Sequence, residues 1–260
     1  MSLPLSSIPY IVWAPALLVF ARTAALFAAS PLWGTTILPG GVRILLGLVL
    51  TFFTLSSGVR VQLPPQDLFP LALLSEVMVG LVIGYLATLI FALFRTAGAA
   101  LDSELGFTVA QVFNPMSAPG EETLLANWFD YLGTVIFLLL GGTEILLQAA
   151  RESFQAIPVN VGTLVMGPRV LSAIVQAFLG SFLIAVEVAA PIILALLLID
   201  LLGAALGRLL PQLNILTLNI PAKMWLGFGM VAVFLPALTD AGRLALGLFG
   251  QSVTTILQGL

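Results

Sequence analysis

The residues with chemical potential in this 260-residue chain are ionisable side chains set inside apolar runs: Arg22, Arg43, Glu76, Asp130, Glu187 and Asp200. A charge at mid-bilayer costs about 2.5–3.5 kcal/mol on insertion scales, so such groups face a bundle interior, a water-filled cavity or a counter-charge. Arg22 and Arg43 lie about equally far in sequence from the turn joining their helices. An antiparallel hairpin would hold the two cations at similar depth. Either each snorkels to an interface, or both meet carboxylates or carbonyls on neighbouring helices, in this chain or in other subunits.

Three further groups stand out. Glu76, Gly80, Gly84, Thr88, Ala92, Arg95, Ala99 and Asp102 recur at i+3 and i+4, giving one small, polar helix face. Gly80-x-x-x-Gly84 permits close backbone approach. That face either packs around one satisfied glutamate or lines an aqueous path. Glu187, Pro191, Asp200, Gly203, Gly207 and Arg208 form the second group. Two carboxylates near a proline suit the ion site of a secondary transporter. The alternative is pairing between subunits, with Gly203-x-x-x-Gly207 as a packing face. The third group is the run Gly106, Phe107, Thr108, Val109, Ala110, Gln111, Val112, Phe113, Asn114 and Pro115. Irregular backbone at membrane depth is tolerated only inside protein or beside a cavity. The run is either a mobile apolar loop that closes a pore or an ordinary loop with its phenylalanines tucked into the core.

Much chemistry is excluded. The chain has no Cys and no His, which removes disulfides, thiol catalysis, zinc sites and histidine proton relays. It offers no nucleophile–base pair, phosphate loop or metal-ligand cluster. The expectation is a protein with no cofactor, no metal and no enzymatic activity. A net charge of −3 without a basic cluster argues against nucleic acid as a partner.

The elements that must position these residues are helices in lipid. Hydrophobic residues make up 60% and charged residues 8%, and the mean hydropathy is +1.15. Soluble domains are roughly 45–50% apolar and about 25% charged. The fold class is therefore an all-α membrane protein. Residues 1–29 lack the basic start of a signal peptide. The pattern predicts helices over 8–29, 37–57, 68–105, 121–142, 169–210 and 222–247, with an amphipathic helix over 143–157. Glu121 and Glu122 suit the first turn of the fourth. Pro191 predicts a kink or break, and Pro211 to Pro221 reads as a connector.

Taken in order, several motifs resemble the FliR/SctT family of type III secretion export-gate proteins. They start with Arg22 through Pro31, Pro39 and Arg43, then Glu76-x3-Gly80-x3-Gly84 and Phe94-Arg95-Thr96-Ala97-Gly98. Gly106-x3-Ala110, Asn114-Pro115, Gly141-Gly142, Phe154 and Pro158 follow. Ala190-Pro191, Asp200, Gly207-Arg208, Pro211-Gln212-Leu213-Asn214-Ile215 and Pro221 complete the set, so that about residues 10–245 are covered. The chain departs at Thr143, where the family often has His, and at Asn114-Pro115, where it often has Asp-Pro.

The resemblance implies bent and kinked helical hairpins packing into a multi-subunit helical pore assembly in the bacterial inner membrane, within the flagellar basal body. It implies a FliP-like part over 1–167, containing a plug over 106–120, and a FliQ-like part over 168–260. This chain would be present in one copy with FliP and FliQ subunits, wrapped by FlhB above FlhA, and surrounded by membrane lipid. Unfolded flagellar subunits would pass through the pore. Arg22, Arg43, Glu76, Arg95, Asp102, Glu187, Asp200 and Arg208 would be buried or face other subunits, and Gly80, Gly84, Gly203 and Gly207 would pack helices closely. The competing readings are a secondary transporter or ion channel using Glu76, Glu187 and Asp200, and a purely structural membrane scaffold.

Overall fold

In a computed structural model, the described residues are 10–30, 39–59, 61–107, 123–159, 167–210 and 215–259. They form α1 (Tyr10–Ala29), α2 (Gly40–Ser56), a 3-10 turn at Gln66–Leu68, α3 (Phe69–Leu105), α4 (Leu124–Leu139), α5 (Gly142–Ala156), α6 (Pro168–Leu209), α7 (Ile215–Val233) and α8 (Leu235–Gly259). Extended pairing among the described residues is confined to an isolated bridge between Val61 and Val159. The molecule is an all-α membrane protein. By length and composition, α1, the segment Gln66–Leu105 and α6 are each able to cross a bilayer. The α4–α5 pair is bent by 69° and the α7–α8 pair by 55°.

Each bend has a local cause. Between α4 and α5, Gly141 adopts φ +73°, a left-handed conformation open to glycine at no steric cost. Between α7 and α8, Pro236 lacks an N–H, and its ring excludes the carbonyl of Ala232. The chain restarts with Pro236 in the first turn of α8, where proline is tolerated. This corrects the sequence expectation for the C-terminal region. The helix expected over 222–247 is broken after Val233 and continues to Gly259, and α7 starts at Ile215 with Pro221 inside it. α6 runs through Pro191 without a break.

The chain divides into two compact units. One comprises Met1–Leu89, Gly141–Phe178 and Phe249–Leu260; the other comprises Ile90–Leu140 and Leu179–Leu248. In the first unit, Leu18, Val19, Ala72, Phe154 and Val159 form a buried cluster. There α1 runs parallel to α3: Tyr10 and Trp13 pack on Phe69, and Ala29 O accepts a hydrogen bond from Thr88 Oγ1 at 2.7 Å. In the second unit, Phe94 fills the space left by Gly133, and Leu105 lies against Gly227. The rings of Phe91 and Phe137 pack with centroids 5.1 Å apart, tilted by 46°.

Large apolar side chains also cover the outside. Ile44, Leu45, Phe52 and Phe53 of α2 and Leu194, Leu198, Leu201 and Leu202 of α6 are all exposed. Contiguous apolar surface of this kind is what a helix presents to lipid or to a partner subunit.

Candidate functional site

The first polar constellation lies in the first unit and centres on Arg22, the largest fully buried side chain among the described residues. Its Nε donates to Glu76 Oε2 at 2.6 Å, and the two side chains are 1% and 0% exposed. Its Nη1 donates to the carbonyl oxygens of Ser153 at 2.8 Å and Ile157 at 3.1 Å. Its guanidinium carbon stands 4.5 Å from the centroid of the Phe154 ring. Those two carbonyls lie at the end of α5, where the helix macrodipole is negative; that of Ser153 also accepts from Ile157 N–H at 3.0 Å. One cation thus joins α1 to α3 through a salt bridge and caps α5.

The glycines beside Glu76 let this happen. A methyl group on Gly80 would collide with the carbonyl oxygen of Arg22, and one on Gly84 with that of Leu26. Between Glu76 and Thr88, the small face of α3 is packed against α1. The Arg43 side chain lies outside the described residues, but the helix that carries it is placed. Phe20 packs on Gly47, and Thr23 Oγ1 meets Thr51 Oγ1 at 3.2 Å. These contacts advance in the same direction along α1 and α2, so α2 does not return antiparallel to α1. Position 43 is eight residues before Thr51, about 12 Å along the axis. Arg22 and Arg43 are therefore not level, which corrects the hairpin expectation. The hydroxyl pair and the fit of Phe20 over a glycine set this register.

The second constellation lies in the second unit. Asp102 is fully buried and accepts from the backbone N–H groups of Leu125 at 3.1 Å and Ala126 at 2.8 Å. These are free donors in the first turn of α4, at the positive end of its dipole. Gly98, one turn earlier on α3, makes the approach possible: a Cβ there would stand 2.5 Å from Leu125 O. Glu121 and Glu122, expected to serve this helix start, lie outside the described residues.

The third constellation, also in the second unit, gathers α3, α6 and α7. Lys223 Nζ contacts Asp200 Oδ2 at 2.6 Å and donates to the carbonyl oxygen of Glu104 at 2.8 Å. Asn219 donates to Asp200 Oδ1 at 2.9 Å and lies over Gly203, where a Cβ would be 3.1 Å from its Oδ1. Lys223 thereby caps the C-terminus of α3, which ends on Gly106 at φ +84°. The sequence reading did not single out Lys223 or Asn219. The available signal was that Lys223 is the chain's only lysine and sits in an apolar run.

Other candidates are not drawn into these clusters. Glu187, Arg95 and Arg208 are exposed, and Gly207 is half-buried. Glu187 and Asp200 are 13 residues apart on one helix, about 20 Å along its axis, so they do not share a site. Of the run 106–115, Gly106 and Phe107 are described, the latter half-buried; Thr108 through Pro115 lie outside the described residues. No group of three or more acidic side chains able to hold a metal occurs among the described residues. What the clusters do chemically is hold helix ends: each pairs a side-chain charge with the helix pole of opposite sign.

Comparison with known proteins gives a consistent result. Residues 13–246 match the family described as bacterial export proteins, family 1. The flagellar biosynthetic protein FliR of Bacillus subtilis is 30% identical over 223 residues, covering 84% of both chains. That of Caulobacter vibrioides is 28% identical over 90% of this chain and 95% of its own. The surface presentation of antigens protein SpaR of Shigella flexneri is 27% identical over 83% of this chain and 82% of its own.

Proposed function

The chain belongs to family 1 of the bacterial export proteins, and from that premise we propose that it is a component of the flagellar type III protein export gate. It sits in the bacterial inner membrane within the flagellar basal body. With FliP and FliQ subunits, and with FlhB and FlhA beside them, it forms the pore through which unfolded flagellar subunits leave the cytoplasm. Residues 1–167 serve as its FliP-like part and 168–260 as its FliQ-like part. The segment 106–120 is the plug.

The observation that carries this reading is the single match running from residue 13 to residue 246. The polar clusters support it. Glu76 is committed to Arg22, and Asp200 to Lys223 and Asn219, so two of the three carboxylates that a solute transporter would need already hold helices. The exposed leucines of α2 and α6 suit a chain surrounded by other subunits and lipid. The 30% identity to FliR of Bacillus subtilis over 84% of both chains supports the flagellar system.

The test is purification of the tagged chain from membranes, followed by mass measurement of the intact complex. Co-purification with FliP- and FliQ-type subunits is the expected result. A stable, monodisperse monomer from cells that export normally would overturn the proposal. Deletion of Gly106 to Pro115 in an assembled gate tests the plug. Increased ion leakage is expected, and unchanged leakage would refute the assignment.

A further inference from the structure

The first unit contains a groove of about 1090 Å³ between α1, α2 and α5, at the upper edge of the roughly 300–1,000 Å³ typical of ligand sites. The export reading makes no use of it. Phe27, Leu50, Leu147 and Phe154 give it an apolar floor. Along α5 the wall turns polar towards the C-terminus: Leu147 is followed by Arg151 and, one turn later on the same face, by Gln155. Gln62 joins the polar part from the connector after α2.

The charge in this groove is unbalanced. Arg151 is exposed and makes no ion pair among the described residues. Glu152, its neighbour on α5, accepts from Gln148 and does not line the groove. The cation beside the Phe154 ring is Arg22, already matched by Glu76. An apolar trough with one guanidinium uncompensated among the described residues at its polar end is complementary to an amphiphile with an anionic head. Guanidinium is also the side chain best shaped to grip phosphate through paired N–H donors.

We propose that this groove binds a phospholipid with an anionic headgroup. Its acyl chain lies on Phe27, Leu50, Leu147 and Phe154, and its phosphate on Arg151, with Gln155 as an additional donor. The lipid fills the space between α2 and α5 and ties them to α1. This site is independent of what the chain exports.

The experiment is native mass spectrometry of the full chain, purified from membranes in whatever assembly it forms. The sample is exchanged into mild detergent with equal amounts of phosphatidylglycerol and phosphatidylethanolamine. The expected result is a retained adduct of one phosphatidylglycerol. Its retention falls roughly tenfold or more in Arg151→Gln, the loss expected for one hydrogen bond to a charged group, and persists in Arg151→Lys. Arg243→Gln, which removes an exposed cation paired with Asp240, leaves it unchanged. Equal retention of both lipids, or phosphatidylglycerol binding unaffected by Arg151→Gln, overturns the proposal. Protection of the groove by a protein partner in place of lipid would overturn it as well.

Discussion

Arg22 and Glu76 are 54 residues apart and meet at 2.6 Å inside the protein, with side chains 1% and 0% exposed. The pair is not isolated, because Arg22 also satisfies the two carbonyls that end α5. Removing one partner of a buried pair leaves the other charge without compensation and typically costs about 3–5 kcal/mol. Replacing both by apolar groups of similar volume is often close to neutral.

Glu76→Ala is therefore expected to destabilise the chain by about 3–5 kcal/mol, and Glu76→Gln by less, because the amide oxygen can still accept from Arg22 Nε. Arg22→Met combined with Glu76→Met removes the buried charges together but still abandons the cap on α5. It should fall between wild type and Glu76→Ala. Accumulation in membranes and thermal unfolding in detergent measure the order. Equal stability of wild type and Glu76→Ala would show that the pair does not hold α1 to α3.

The Asp102 carboxylate is expected to behave as a cap supplied from a different helix. Losing it costs about 1–2 kcal/mol, in the range of N-cap deletions. In Asp102→Ala the amides of Leu125 and Ala126, which donate to it, should exchange with deuterium roughly 5–30 times faster. Amides in the middle of α4 should be much less affected. Uniform acceleration along α4 would instead mean that the whole helix had lost its docking.

How much of this was legible in the sequence follows from the range of the interactions involved. Arg22, Glu76, Gly80, Gly84 and Asp102 could be singled out because a charge or a glycine in an apolar helix is locally anomalous. Their partners could not, because Ser153 and Ile157 are 131 and 135 residues from Arg22. Helix ends marked by two signals, such as Gly141 with Gly142, were readable. The sequence pattern ends a connector at Pro221 and runs one helix on through Pro236, because the two prolines carry the same local signal. Only tertiary packing lets α7 absorb the first while the chain bends at the second. The parallel run of α1 and α2 was illegible for the same reason: a short link in sequence suggested a hairpin, and the Thr23–Thr51 register overrides it.

Glycines that look alike in sequence should differ in sign when replaced by alanine. Gly80→Ala forces a methyl group into the Arg22 carbonyl and the Ala25 side chain. Backbone cannot yield as a flexible side chain can, so α1 and α3 must separate. A loss of about 2 kcal/mol or more is expected, in the upper part of the usual cost of overpacking, about 1–3 kcal/mol. Gly250→Ala meets nothing within 4 Å and lies inside α8, so it should gain about 0.5–1 kcal/mol from helix propensity. Thermal unfolding of the two variants reads opposite shifts; a gain in Gly80→Ala would contradict the observed packing.

Lys223 is expected to separate positioning from stability. Its ion pair with Asp200 is partly exposed, with side chains 12% and 39% accessible, so water screens it and the pair itself contributes about 1 kcal/mol or less. Its bond to the Glu104 carbonyl is different in kind, since it fixes the last turn of α3 just before Gly106. Lys223→Met should therefore keep the chain folded and accumulating, unlike Glu76→Ala, while the amides of Gly106 and Phe107 exchange faster. If residues 106–120 close the export pore, the same variant should raise ion leakage through an assembled gate without reducing the amount of gate. Faster exchange with unchanged leakage would separate the α3 terminus from closure. Unchanged exchange would show that Lys223 does not hold that terminus at all.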